Sequence, residues 1–516
     1  MKRTIGFLFL FFLLFTGTVC AAGQVRSKSD LNKRGMIIGV GTGDIAELAV
    51  LQEFPNAKIA YYDDKFSGYE SVASGKIDAF VYDLRQMELT IESGRAGVRL
   101  LDETMDWTTK IAVGISSVSK IPDLENQVNR FIAQMGEAGT LNEMYQRWVV
   151  ENREEMPPLA AMAQGKAELH LTVGTSGIVP PYSYYGADGL TGYDIELAER
   201  FAYWLGADLT FKVYDYGSII AAASTGQIDV IMANLQVMDE RAENFLFSDT
   251  LYEEKLGIMV RDADPAEDAK SAALISLWNR VSSSFEKTFI RENRWKLFAE
   301  GILNTVVITV LSVLLGTALG FGLFMLCRSG NKAVNAVTHF CLSVIHGTPM
   351  VVLLMVLFYI VFGKLSVSGS VVAVFGFALT FGSAVFGILN VGIGAIDHGQ
   401  YEAACALGYS GRKAFFRYIL PQALPAMAEP FKHEVIGLIQ ATAVVGYIAV
   451  QDLTKMGDIV RSRTYEAFFP LISVTLIYFL LEGILAFIIS RIGRKTDKRQ
   501  RKQEDILKGV LTHDQN

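Results

Sequence analysis

Apolar and polar positions follow two regimes along the chain. Between residues 35 and 261 short apolar runs alternate with amphipathic stretches: GMIIGVG reads as a buried strand, TGDIAELAVLQEF as a helix and AKIAYYD as a strand. Gly68–Ser74 then reads as a helix and KIDAFVYD as a further strand. A second series, LHLTVGT, GYDIELAERFAYWLG, LTFKVYDY, GSIIAAASTG and QIDVIMANL, repeats the pattern. Each series predicts a βαβ arrangement and a mainly parallel sheet, whose ligands gather at the carboxyl ends of the strands. From Gly301 onward the regime changes to uncharged runs near or above the roughly 20 residues that cross a bilayer as a helix. These predict five spans, at about 302–326, 340–363, 369–396, 430–451 and 467–490. GTALGFGLF and FGFALTFGSAVFGILNVGIG bring small residues to contacts between such helices.

Composition agrees with a mixed chain. A length of 516 residues, 51% of them hydrophobic and 20% charged, excludes a disordered tail or a disulfide-stapled miniprotein and suggests about three units. Residues 1–22 carry Lys2 and Arg3, a long apolar core and small residues before a cleavage point, as a signal peptide does. The four cysteines, at 20, 327, 341 and 405, leave residues 21–326 without a thiol, so an exported domain there must be held by its core. The tail after the fifth span holds seven Lys or Arg against one Asp in residues 490–503. That basic end, with the basic loops after the first and third spans, places residues 24–300 outside a bacterial inner membrane. The net charge of −7 gives no support to nucleic-acid binding.

VGTSGIVPPYSYYGADGLTGYDIELAERFAYWLG, followed by STGQIDVIMANLQVMDERAENFLFSDTLYEEKLGIMV, resembles the solute-binding domains of ATP-driven polar amino-acid importers. The resemblance implies a two-lobed α/β periplasmic domain of type II, with its segments in an unusual order. Residues 31–108 match lobe two, residues 109–150 the return strand IAVGISS and terminal helix GTLNEMYQRWV that pack on lobe one, and residues 168–262 lobe one itself, after a linker at 151–167. Joined so, they form one circularly permuted domain; two incomplete domains of a truncated tandem are the alternative.

By the same resemblance Arg241 clamps a ligand carboxylate, Asp83 receives the α-ammonium and Thr42 contributes a hydroxyl beside backbone donors. Tyr216 forms a side wall, Asn234 and Gln236 line the strand end, and Tyr182 and Tyr184 support the entrance. Val179 stands where the family often has a stacking aromatic, and Asn234 and Gln236 replace small hydroxyl residues, which leaves the carried side-chain class open.

After a linker and pre-membrane helix at 263–300, residues 301–490 resemble the family's all-α permease domain, with a cytoplasmic tail at 491–516. QYEAACALGYSGRKAFFRYILP matches its ATPase-coupling loop: Glu402, Ala403 and Ala404 open a helix, Gly408 permits the turn, and Phe415 and Leu420–Pro421 add an apolar face beside Arg412. The chain has no GxxxxGK[ST] loop. The resemblance therefore implies a transport subunit rather than an enzyme, with no cofactor of its own, ATP being used by a separate cytoplasmic ATPase dimer. A second copy or a related permease would complete the path for a polar amino-acid ligand. A ligand-responsive sensor or channel, and a degenerate binding or scaffold subunit, are the rival readings.

Overall fold

The structure is a computed structural model and describes residues 25–62, 64–93, 97–153, 156–157, 169–238, 245–262, 281–328, 330–363, 365, 367–464, 466 and 468–496. The signal peptide at 1–22, Arg241, most of the linkers at 151–167 and 263–280, and the tail from 497 lie outside the described residues.

The first lobe is built on strands β1 (Ile37–Gly41), β2 (Lys58–Tyr62), β3 (Ala79–Asp83) and β4 (Val98–Leu100), with helices α1 (Ala46–Glu53), α2 (Lys65–Ala73) and α3 (Leu84–Glu92) between them. The chain leaves through β5 (Thr108–Ile111) and enters the second lobe at β6 (Gly114–Ile115), followed by α4 (Leu124–Glu137) and α5 (Thr140–Tyr145). Strands β7 (Leu169–Thr175), β8 (Ile178–Val179), β9 (Ser183–Gly186), β10 (Gly189–Thr191), β11 (Ala207–Val213), β12 (Val230–Ile231) and β13 (Leu246–Phe247) follow, with α6 (Tyr193–Leu205) and α7 (Tyr216–Ser224). The second sheet has the order β11-β7-β12-β6-β13, and β8, β9 and β10 form a separate antiparallel ribbon.

Strand β14 (Tyr252–Arg261) then returns to the first sheet, whose order is β2-β1-β3-β14-β4. This corrects the expected boundary, which kept residues up to 262 in lobe one. Leu256 to Val260 pair antiparallel with β3, and that stretch is buried throughout, as a central strand should be. The sequence shows the apolar run but not its distant partner. Residues 252–255 pair with β5, so the two connections between the lobes lie side by side as antiparallel strands. The return strand is also shorter than IAVGISS suggested: β6 is two residues long and lies between the equally short β12 and β13, each of which pairs with it over two residues.

The membrane unit begins with α8 (Trp295–Cys327) and continues with α9 (Lys332–Gly347), α10 (Met350–Met355), α11 (Gly369–Gly394), α12 (His398–Ala406), α13 (Gly411–Ala414), α14 (Leu420–Ala441), α15 (Leu453–Thr464) and α16 (Phe468–Thr496). Three helices are long and apolar enough to cross a membrane, and two bent pairs bring the number to as many as five. The second and fourth expected spans are these bent pairs, turning by 110° and 59°. The 110° bend falls at Gly347–Pro349, where proline denies the backbone a donor. Helices α8 and α11 approach through glycine: a Cβ on Gly320 would lie 2.3 Å from the Gly382 carbonyl oxygen. Gly322 in the same spelling faces open space, so only one edge of the glycine pattern is a contact.

Candidate functional site

The lobes meet across a cavity of about 90 Å³ at the carboxyl ends of β1, β3 and β12. Its first-lobe wall carries Thr42, Asp44, Asp64, Lys65 and Asp83; its second-lobe wall carries Val179, Tyr216, Asn234 and Gln236.

Asp83 is the hub. It ends β3 and is 1% exposed, and its carboxylate accepts from Gln86 Nε2 at 2.7 Å, Asn234 Nδ2 at 3.1 Å and Gln236 Nε2 at 3.3 Å. Two of these donors come from the opposite lobe. Gln236 Oε1 in turn accepts from the Ile45 backbone at 3.1 Å, so one carboxamide touches both ends of the first-lobe wall. Burial pushes the Asp83 carboxyl up and Asp44 adds to the rise, while Lys65 and the amide donors oppose it.

Lys65, the first residue of α2, donates to Gln86 Oε1 and lies 5.3 Å from the centre of the Phe66 ring. Burial brings its ammonium down to about 7, against the pull of Asp83 and Asp64. Asp64 is the N-cap of α2: its carboxylate accepts from the Ser67 backbone at 2.9 Å. Asn234 has a left-handed backbone with φ of 51°, which asparagine tolerates, and its N–H donates to Asp194 at 2.7 Å. Asp194, in the first turn of α6, is pushed up to about 7 by burial.

Of the residues singled out from sequence, Thr42, Asp83, Tyr216, Asn234 and Gln236 line this cavity. Arg241 lies outside the described residues. Tyr182 and Tyr184 do not line it: both are buried in the second-lobe core, where the Tyr182 hydroxyl donates to the Glu254 carboxylate. The β8–β9 ribbon turns Val179 toward the cavity and these rings away from it. Asp44, Asp64, Lys65 and Gln86 were missed, although the run DDKF before a helix held the signal of a charged N-terminus.

On the coupling loop, α12 is followed by Gly408 with φ of +85°, which suits glycine at a turn, and by α13. Glu402, Ala403 and Arg412 are exposed, Ala404 is buried, and Leu420 with Pro421 starts α14. Phe415 corrects the expected apolar face. It is 1% exposed, stacks on Phe324 and sits under the Arg328 guanidinium at 4.5 Å, so it anchors the loop from within. The exposed apolar groups are instead Leu407, at 78%, and Phe416.

Inside the membrane unit, cavities of about 390 and 290 Å³ share His346, Ala384 and Glu434. Glu482, on α16, accepts from Gln440 at 2.8 Å. Among the described residues no cluster of His, Cys, Asp and Glu could hold a metal ion.

The family described as bacterial extracellular solute-binding proteins, family 3, matches residues 171–447, more than half of the chain. A putative glutamine transport system permease protein from Rickettsia typhi is 32% identical over 199 residues, covering 38% of this chain and 91% of the relative. The arginine transport system permease protein of Bacillus subtilis is 34% identical over 201 residues, covering 38% and 90%. A crystal structure of an amino acid ABC transporter with histidines is 32% identical, covering 39% of this chain and 94% of that one, at a TM-score of 0.36. The long apolar helices beside a separate α/β unit make the chain an inner-membrane protein with an extracytoplasmic segment. The chain belongs to the bacterial extracellular solute-binding proteins, family 3, here fused to a permease of the amino-acid ABC transporters.

Proposed function

We propose that this chain captures a polar amino acid between its two lobes and passes it to its own membrane unit, with transport driven by a separate ATPase docked at α12 and α13. The observation that carries this reading is Asp83: a buried carboxylate at a strand end, held by amide donors from both lobes, is where a ligand ammonium would exchange with the Asn234 and Gln236 amides. We read the exported unit as one circularly permuted domain. Its support is the sharing of strands: β14 completes the sheet of the segment that precedes it by more than a hundred residues, and β6 lies within the later segment's sheet.

Within the polar class, wall charge ranks the ligands. Asp44, Asp64 and Asp83 outnumber Lys65 among the described lining residues, which favours a cationic or neutral side chain over an acidic one. Binding of glutamine, arginine, cystine and glutamate to the full chain in nanodiscs, by calorimetry, tests this. Glutamine or arginine is expected to bind at least tenfold more tightly than glutamate, and Asp83→Asn to weaken the preferred ligand by about tenfold to a hundredfold, the range of a hydrogen bond to a charged group. Absence of binding by all four, or equal binding by the Asn variant, overturns the reading.

A further inference from the structure

The two lobes are fastened to the membrane unit by different chemistry. The second lobe shares an apolar core with it: Tyr214, Ile219 and Ala222 pack in one cluster with Leu354, Tyr359 and Ile448. Polar contacts surround that core. Lys455 Nζ donates to Asp215 Oδ1 at 2.6 Å and to the Tyr214 carbonyl at 3.3 Å, and Gln227 Nε2 donates to the Gly363 carbonyl at 3.0 Å. The Tyr359 hydroxyl donates to the Tyr447 and Ser218 carbonyls at 2.9 and 3.3 Å. Gly446 sits so near Asp215 that a Cβ would come within 2.5 Å of Oδ2.

The first lobe is met from the same helix by a charge. Arg461 stands six residues beyond Lys455 on α15, about 9 Å along the axis. Its Nη2 donates to Asp64 Oδ1 at 3.2 Å, its guanidinium lies 5.8 Å from the centre of the Phe66 ring, and Nη1 donates to Asp458 at 2.9 Å on its own helix. Asp215 and Asp64 hold equivalent places. Each is the N-cap of a helix whose first residues line the cavity, Tyr216 in α7 and Lys65 and Phe66 in α2.

An apolar core is costly to pull apart, whereas an ion pair with a carboxylate one-third exposed shifts an equilibrium only a few-fold. The contact that can be made and lost as the lobes swing about β5 and β14 is therefore the one at Arg461. We propose that the second lobe is fixed to the membrane unit, that the first lobe is the moving one, and that Arg461 is the residue through which the membrane unit senses closure of the cavity. The far end of α15 reaches the start of the membrane unit. Arg463 pairs with Glu292, and Lys287 pairs at 3.2 Å with Glu466, just before α8, so a displaced Arg461 has a path to a spanning helix.

The test needs no ligand and so stands apart from the ligand reading above. The full chain in nanodiscs, its native cysteines replaced, is spin-labelled at the exposed positions Lys296 and Lys76 to follow the first lobe, or Lys296 and Thr210 to follow the second. Arg461→Gln is expected to raise a longer-distance population of the first pair a few-fold and leave the second pair unchanged, with Arg461→Lys intermediate. Lys455→Met is expected to leave the second pair unimodal, because the apolar core remains. An unchanged first pair in Arg461→Gln, an equal loosening of both lobes, or release of the second lobe by Lys455→Met overturns the proposal.

Discussion

The two walls of the cavity divide the work of recognition. Among the described lining residues, the first lobe supplies every charge, Asp44, Asp64, Lys65 and Asp83, while the second supplies amides and an aromatic ring, Asn234, Gln236 and Tyr216. Charge on one wall and neutral donors on the other let the walls approach without like-charge repulsion, and Asp83 gains partners as they do. The largest effect is expected where that division is broken. Asn234→Asp keeps the left-handed backbone, which aspartate also tolerates, but sets a carboxylate against Asp83 in place of a donor 3.1 Å away. Leaving a buried charge uncompensated costs about 3 kcal/mol or more, so ligand affinity should fall by about a hundredfold or more at pH 8 and partly recover toward pH 5 as one carboxyl protonates. Calorimetric titration at the two pH values decides it; equal affinities would mean the walls do not meet at Asp83.

The same two lobes differ in how they are held, and Gly446→Ala sharpens that difference. The added methyl must displace Asp215 or the backbone around it, because its position is 2.5 Å from Oδ2. Overpacking of this kind costs about 1–3 kcal/mol. The expected outcome is a second lobe that protects its amides less well from hydrogen exchange along α7, with the first-lobe strands β1 to β3 unaffected. Equal loss in both lobes would remove the distinction between a fixed and a moving lobe.

What was legible in the sequence follows from the range of each interaction. Strands, helices and their apolar periods are local, so β1 to β3, α6, α7, β7 and β11 could be read from pattern alone. Asp83 was legible through the family resemblance, which sets a ligand-binding carboxylate at the end of KIDAFVYD. The place of β14 was not, since its ladder joins residues about 170 positions apart, Leu256 with Asp83 and Ile258 with Val81. Phe415 misled for a related reason. An aromatic in a short basic loop reads as an outward contact, and only the packing of Phe324 and Arg328 around it shows that it points inward. Asn234 and Gln236 were visible as departures from a family spelling, but their chemistry became clear only when the opposite wall placed Asp83 within reach.

A last contrast separates the buried acid behind the second wall from the charges of the first. Asp194 accepts from the Asn234 backbone, and its pKa in the fold is raised to about 7 from an ordinary 3.8 by burial. Between those values the folded chain holds a proton that the unfolded chain has released. Its contribution therefore lowers stability as pH rises through that window, is absent below about pH 4 and is complete above about pH 7. Asp194→Asn removes this titration while keeping an acceptor for the Asn234 N–H. The difference in stability between variant and parent should then grow in the variant's favour from pH 4 to pH 7, with a slope of at most about 1.4 kcal/mol per pH unit. Denaturant midpoints followed by tryptophan fluorescence, which includes Trp148 in the second-lobe core, measure it. A difference independent of pH would mean that Asp194 is ionised throughout, and that the second lobe brings a charge of its own to the back of the site.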